Sequence, residues 1–246
     1  MKRLTLFTLV ILAALALAAC GTAAATQAPQ AQATPATDGA PASGGGAASA
    51  ALTLDPANLS ETEREAAAYL YDGLVMVKDG EIVPALAESF QVSDDGLEYT
   101  FTLRSGLTFH DGAALNADAV IANFNRWYDP KDTNRGAGAY AAWKSAFGGF
   151  KGEASAEGKP VSQYDGIEKI NDLTILVHLN TPDPEFLGKL ADVSFAIVSP
   201  AAFGGAADGG AGAYQFESSN GATLKVQPFA AYWNGAPASG AEVPLK

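Results

Sequence analysis

Two histidines and one cysteine carry most of the reactive side-chain chemistry in this chain, and their neighbours limit what they can do. His110, in Phe109-His110-Asp111-Gly112, has a carboxylate beside it that could orient an imidazole for general-base work. It stands in a turn ahead of a helix, however, and no candidate nucleophile lies near it in sequence. His178 falls in an alternating stretch with Thr174 and Leu176 on its own face, the position of a sheet-face residue rather than a ligand. Asp94-Asp95 precedes Gly96 in a turn, where such carboxylates bond their own backbone. The glycine-rich stretches lack the lysine and the strand-to-helix context of a phosphate loop. No catalytic residue, metal ligand or cofactor is expected. The aromatic set Trp127, Tyr128, Tyr140, Trp143, Phe147 and Phe150 could line a pocket for a peptide or sugar, but core packing is the stronger reading.

The elements that must position these residues begin after a long leader. Met1-Lys2-Arg3 is a basic start, Leu4 to Ala19 is uncharged, and Leu17-Ala18-Ala19-Cys20 ends the run. The run is shorter than the ~20 residues of a spanning helix, so residues 1–20 read as a secretory signal peptide. They resemble the bacterial lipoprotein signal, which implies that Cys20 is the lipidated mature N-terminus. Residues 21–50 hold 12 Ala, 5 Gly, 3 Pro and 4 Thr, with no aromatic or large aliphatic side chain to build a core. They are expected to form a disordered Ala/Gly/Pro/Thr tether with an r.m.s. reach of roughly 30 Å. The 15 basic and 27 acidic residues give a net charge of −12, which argues against nucleic acid as a partner and makes a covalent anchor necessary for contact with an anionic bilayer.

Residues 51–246 suffice for one sizeable domain. Ser60 and Glu63 make a capping box ahead of a short helix near 61–72. Hairpins are expected around Asp79-Gly80, around Ser93 to Gly96 and around Asn171-Asp172, the second with Tyr99, Phe101 and Leu103 on one face. Asn116 caps a helix that Asp129-Pro130 ends. Residues 131–165 read as loop with a short helix around 140–147. Asp183-Pro184 starts another helix, Phe195 to Val198 reads as a buried strand, and Asn220-Gly221 turns a last hairpin. The series is mixed α/β joined mainly by hairpins, with a subdomain at about 72–165.

Several of these stretches together resemble the family 5 extracellular solute-binding proteins, the peptide, oligopeptide and nickel receptors of ABC importers. The resemblance runs through Leu54-Asp55-Pro56-Ala57, Tyr71-Asp72-Gly73-Leu74, Ala85 to Phe90, Tyr99 to Arg104, Phe109-His110-Asp111-Gly112, Asn125-Arg126, Gly212-Ala213-Tyr214 and Tyr232-Trp233-Asn234-Gly235. It implies a type II periplasmic-binding-protein-like lobe of mixed sheets and short helices. It also implies an incomplete chain with the second lobe missing, because the Tyr-Trp motif precedes that lobe in the family. A peptide or similar small solute, the permease subunits of an ABC importer and the membrane, through the lipid anchor, are the implied partners, on the periplasmic or extracellular side of the cytoplasmic membrane. The first-lobe ligand contacts of the family point here to Ser60, Thr62 and Tyr140. The competing reading is a degenerate single-lobe surface lipoprotein that acts as an interaction module without binding solute.

Overall fold

The computed structural model describes residues 54–205 and 207–245; Cys20 and the stretches read as signal and tether lie outside them. A helix, α1 (Glu61–Leu70), opens the fold behind a one-turn 3₁₀ helix, Pro56–Asn58. It ends two residues before the expected limit, because Tyr71 turns extended. Next come β1 (Val75–Lys78) and β2 (Glu81–Pro84), paired antiparallel across Asp79 and Gly80. Their φ values of 54° and 84° supply the two left-handed residues of a type I′ turn.

A four-stranded antiparallel sheet in the order β3-β4-β6-β5 is the main scaffold, built from β3 (Ala87–Val92), β4 (Glu98–Leu103), β5 (Tyr164–Asn171) and β6 (Thr174–Leu179). Alternation sends Tyr99, Phe101 and Leu103 of β4 and Ile175, Val177 and Leu179 of β6 to one buried face. The expected subdomain edge near 165 falls inside β5, and the sheet runs on to Leu179. On the buried face sit α2 (Ala117–Tyr128) and α3 (Ala141–Phe147), which bring Val120, Phe124, Trp127, Trp143 and Phe147 into the same core. Fully burying an aliphatic or aromatic side chain of this kind contributes roughly 1.5–3 kcal/mol, so the periodicity read from the sequence marks where most of the stabilisation lies. Asn116 caps α2 by accepting the Ala119 N–H at 3.1 Å, and Gly148 ends α3 at φ 86°.

A second core lies between α1 and a three-stranded antiparallel sheet, β7 (Tyr214–Ser219), β8 (Thr223–Pro228) and β9 (Ala241–Pro244), where Ala66, Ala67 and Leu70 meet Leu224, Val226 and Val243. The strand β9 was not foreseen: Glu242, Val243 and Pro244 are too short a run to stand out by pattern. Two expectations need correction. The helix after Asp183-Pro184, α4, begins only at Phe186 (Phe186–Leu190), because the Asp183 carboxylate accepts the Glu185 N–H and its carbonyl accepts the Phe186 N–H, which makes a turn first. Phe195 to Val198 is buried but pairs with no described strand. A 3₁₀ turn (Val193–Phe195) leads into it, and the side-chain amide of Asn123 meets both polar groups of Val198, accepting its N–H at 3.2 Å and donating to its carbonyl at 2.7 Å. A helix-borne amide thus does what a neighbouring strand would otherwise do.

Candidate functional site

The segment after Leu54-Asp55-Pro56 is held by a buried ion pair. Arg126, on α2 and with its side chain 1% exposed, donates to Asp55 through Nη1 at 3.0 Å and Nη2 at 2.8 Å, and its guanidinium lies 4.4 Å above the Phe203 ring. Asp55 also accepts the Ala57 N–H and the Asn58 side-chain amide. Burial works to raise the Asp55 carboxyl, and the bonds and charge of Arg126 outweigh it, so that it lies below its ordinary value. Asn58 in turn accepts the Tyr140 N–H at 3.0 Å. A chain of contacts, Arg126 to Asp55 to Asn58 to Tyr140, therefore fixes the start of α1 against the start of α3.

A groove follows that line. One hollow of about 570 Å³ lies between the Ala57–Arg64 stretch and α3, and an adjoining one of about 710 Å³ reaches α4. Arg64, Ala142, Ser145 and Ser194 line both. Arg64 donates to Ser194 Oγ at 2.8 Å and to the Asp192 carboxylate. Burial acts to raise the Asp192 carboxyl, while Ser194 and Arg64 together bring it below its ordinary value. Lys189 is engaged with Asp183 at 2.7 Å and Gln163 at 3.1 Å.

Of the expected contact residues, Ser60 and Thr62 are exposed beside this groove, with their hydroxyls 3.0 Å apart. Ser60 is occupied as a cap: its N–H donates to the Glu63 carboxylate at 2.8 Å and its hydroxyl donates to the same oxygen at 2.6 Å. Tyr140 is fully buried rather than surface-facing. Its φ of 51° turns the chain into α3, its hydroxyl donates to the Arg135 carbonyl, and Arg135 packs 4.1 Å from its ring. Its neighbours Ala139 and Ala141 line the groove, and its own ring stays in the core. Trp127, Trp143 and Phe147 are likewise interior, as core packing required. Arg64 escaped sequence reading; its one signal is that it is the sole cation in Glu61-Thr62-Glu63-Arg64-Glu65.

The remaining motif residues tie the cores together. His110 meets the Gly212 carbonyl through Nε2 at 3.0 Å, its N–H donates to the Gly210 carbonyl, and its ring stands edge-on to Phe229 at 4.7 Å. Burial lowers its pKa despite the Gly212 bond and the charges of Asp111 and Asp208, so it is a neutral structural link. A Cβ on Gly210 would fall 2.0 Å from the Leu70 carbonyl oxygen, and one on Gly212 2.6 Å from the Leu70 carbonyl carbon; only glycine permits this approach. His178 lies on the outer sheet face, with Glu98 at 3.6 Å and Glu168 at 3.5 Å on opposite sides of its ring. Among the described residues no group of three His, Cys, Asp or Glu side chains could hold a metal ion. No described helix is long and apolar enough to cross a membrane.

Trp233 donates to Asp72 at 2.8 Å and lies under Arg104 at 4.3 Å. Burial lifts the Asp72 carboxyl above its ordinary value, although bonds from Trp233 and Tyr232 hold it back. A carboxyl raised on folding favours the protonated native state, so stability falls as pH rises from the unfolded value near 3.8 through the folded one. Asp72→Asn keeps an acceptor for Trp233 and removes that fall. Urea unfolding of the variant at pH 4 and pH 7 should therefore show it gaining on the parent at the higher pH, and an unchanged difference between the two pH values would refute the assignment.

Three comparisons place this arrangement among known proteins. The glutathione-binding protein GsiB of Pectobacterium atrosepticum is 32% identical over 190 residues, and that of Escherichia coli K12 is 34% identical over 190 residues; in both cases the match covers 74% of this chain and 33% of the relative. The chain thus spans about a third of the length of these curated relatives. Among solved structures, HbpA2 from Haemophilus parasuis superposes with a TM-score of 0.66 at 25% identity, covering 81% of this chain and 42% of that one. The periplasmic binding protein DppA from Helicobacter pylori, in complex with the peptide STSA, gives 0.61 at 26% identity, covering 80% and 41%. The fold is therefore that of type II periplasmic binding proteins, represented over roughly two fifths of their length. The profile described as bacterial extracellular solute-binding proteins, family 5 Middle, matches residues 81–245, and on that match this chain belongs to the family 5 solute-binding proteins.

Proposed function

We propose that this chain is the receptor polypeptide, or the first-lobe part of one, of an ABC importer that takes up short peptides, anchored through a lipid on Cys20 to the outer face of the cytoplasmic membrane. The observation that carries the reading is the groove between the Ala57–Arg64 stretch and α3, with Asn58, which joins the Arg126–Asp55 pair to Tyr140, in its wall. Such a groove presents apolar wall and backbone to an extended ligand, which suits a peptide. Family membership supports it, and so do relatives named for glutathione and a neighbour holding a peptide. Beside the groove, the Ser60 hydroxyl, in exchange for its bond to Glu63, and the Thr62 hydroxyl would bond the ligand, and Tyr140 acts by setting the backbone at the start of α3.

Titration calorimetry of the purified chain with glutathione and with a set of di- to pentapeptides tests the proposal. Binding of at least one of them is expected, weaker in Ser60→Ala/Thr62→Ala, and a complete absence of heat across the set would sink it. The anchor is read in the same preparation: the parent should partition with membranes and carry an acyl mass at Cys20, and Cys20→Ala should do neither.

A further inference from the structure

We infer that Arg64 is the residue in the groove that reads a carboxylate of the ligand, so that the class taken is a short zwitterionic peptide with a free carboxyl group. The inference rests on the peptide-receptor reading above and deepens it. Arg64 stands where the two hollows meet and lines both. Its guanidinium carries five N–H donors in a planar fork, and the described residues take two of them: Ser194 through Nη1 and Asp192 through Nη2. The other donors have no partner among the described residues, and the side chain is 30% exposed into the groove.

The contrast with the other cation there is informative. Lys189 gives its ammonium to Asp183, whose side chain is 6% exposed, and to Gln163. Arg64 is held at one edge only, by an Asp192 that is 41% exposed and itself tied to Ser194. That hold orients the fork without saturating it, the condition under which a guanidinium takes a second carboxylate. Glu61 and Glu185 also line the hollows and are exposed. They would repel a plain anion and favour an ammonium, so the groove suits a ligand bearing both signs. Ile82, Leu187 and Phe195 supply the apolar wall for its body.

The test uses glutathione and trialanine, each against the same compound with its carboxyl groups amidated, titrated into the full chain at low and at moderate salt. The acid forms are expected to bind at least tenfold more tightly than the amides. Arg64→Gln should erase that ratio while leaving amide binding in place, and added salt should narrow it. Arg64→Gln also loses its ties to Asp192 and Ser194, so Asp192→Asn is the second variant. It keeps a partner for the fork but removes the resident charge, and should tighten the acid forms several-fold relative to the amides. Equal binding of acids and amides by the parent, or equal loss of both in Arg64→Gln with no change of ratio in Asp192→Asn, would overturn the assignment and leave the peptide-receptor reading intact. Absence of binding for all four probes would overturn the assignment, and absence across the di- to pentapeptide set as well would overturn both.

Discussion

Asp55→Ala should lower the stability of this protein by about 3–5 kcal/mol, because it strands the Arg126 guanidinium, 1% exposed, without its counter-charge. The loss is larger than that of an exposed ion pair, which is worth about 0–1 kcal/mol, since the guanidinium left behind is almost wholly buried. Arg126→Met should cost less than Asp55→Ala. The charge it strands belongs to Asp55, which at 20% exposed keeps some access to water, and methionine refills part of the space beneath Phe203. The double variant Asp55→Leu/Arg126→Met should recover much of the stability, while its groove binds ligand poorly because Asn58 has lost the Asp55 contact that orients it. Urea unfolding gives the ranking through midpoints at constant slope; a double variant worse than the sum of the singles would show that the pair is not the source of the cost. The pH dependence has a fixed sign. The folded Asp55 carboxyl lies below its unfolded value of about 3.8, so its contribution is present above that pH and is lost as pH falls through the folded value.

Trp143→Ala should destabilise by about 3–5 kcal/mol, the range for emptying a large aromatic site in a core that cannot collapse around it. The ring is 1% exposed and has Phe147 at 4.5 Å, Tyr164 at 5.0 Å, Trp127 at 6.0 Å and Phe195 at 6.1 Å around it, and its Nε1 donates to the Gly149 carbonyl at 3.2 Å. Those neighbours come from α2, α3, β5 and the 193–195 turn, so the ring is where four pieces of the fold meet. Trp143→Phe should cost well under half as much, since most of the contact area stays. The variant bears on function as well, because Ala142 and Ser145 on the same helix line the groove. Near-ultraviolet circular dichroism together with thermal melting reads the effect. A Trp143→Ala protein that melts within a degree or two of the parent would mean that α3 is not anchored through this ring.

What local chemistry controls was legible. The Asp79-Gly80 and Asn220-Gly221 turns, the Asn116 cap, the Ser60 to Glu63 box and the period-2 faces of β4 and β6 each depend on residues a few positions apart, and all appear where the sequence places them. The Leu-Asp-Pro, Asn-Arg, Phe-His-Asp-Gly and Tyr-Trp stretches were legible as motifs of a family, but their purpose was not. Asp55 and Arg126 are 71 positions apart, His110 and Gly212 are 102 apart, and Asp72 and Trp233 are 161 apart. Nothing in either member of such a pair announces the other.

The same reason accounts for what the sequence leaves open. Phe195 to Val198 has the composition of a buried strand, and what holds Val198 is Asn123, some 75 positions earlier, whose amide takes both of its backbone polar groups. Tyr140 has the makeup of a contact residue, and its ring is interior because Arg135 and the aromatic core close over it. Arg64 reads as one charge in an acidic helix start until Asp192 and Ser194 arrive from the far side of the domain to hold its fork over the groove. The sequence by itself determined the family, the hairpin turns, the caps at Ser60 and Asn116 and the identity of the core, because turn chemistry, capping and hydrophobic period act over a few residues. Only the tertiary structure decided which polar groups are buried together and which cation faces the groove, because those depend on distances that the chain sets by folding.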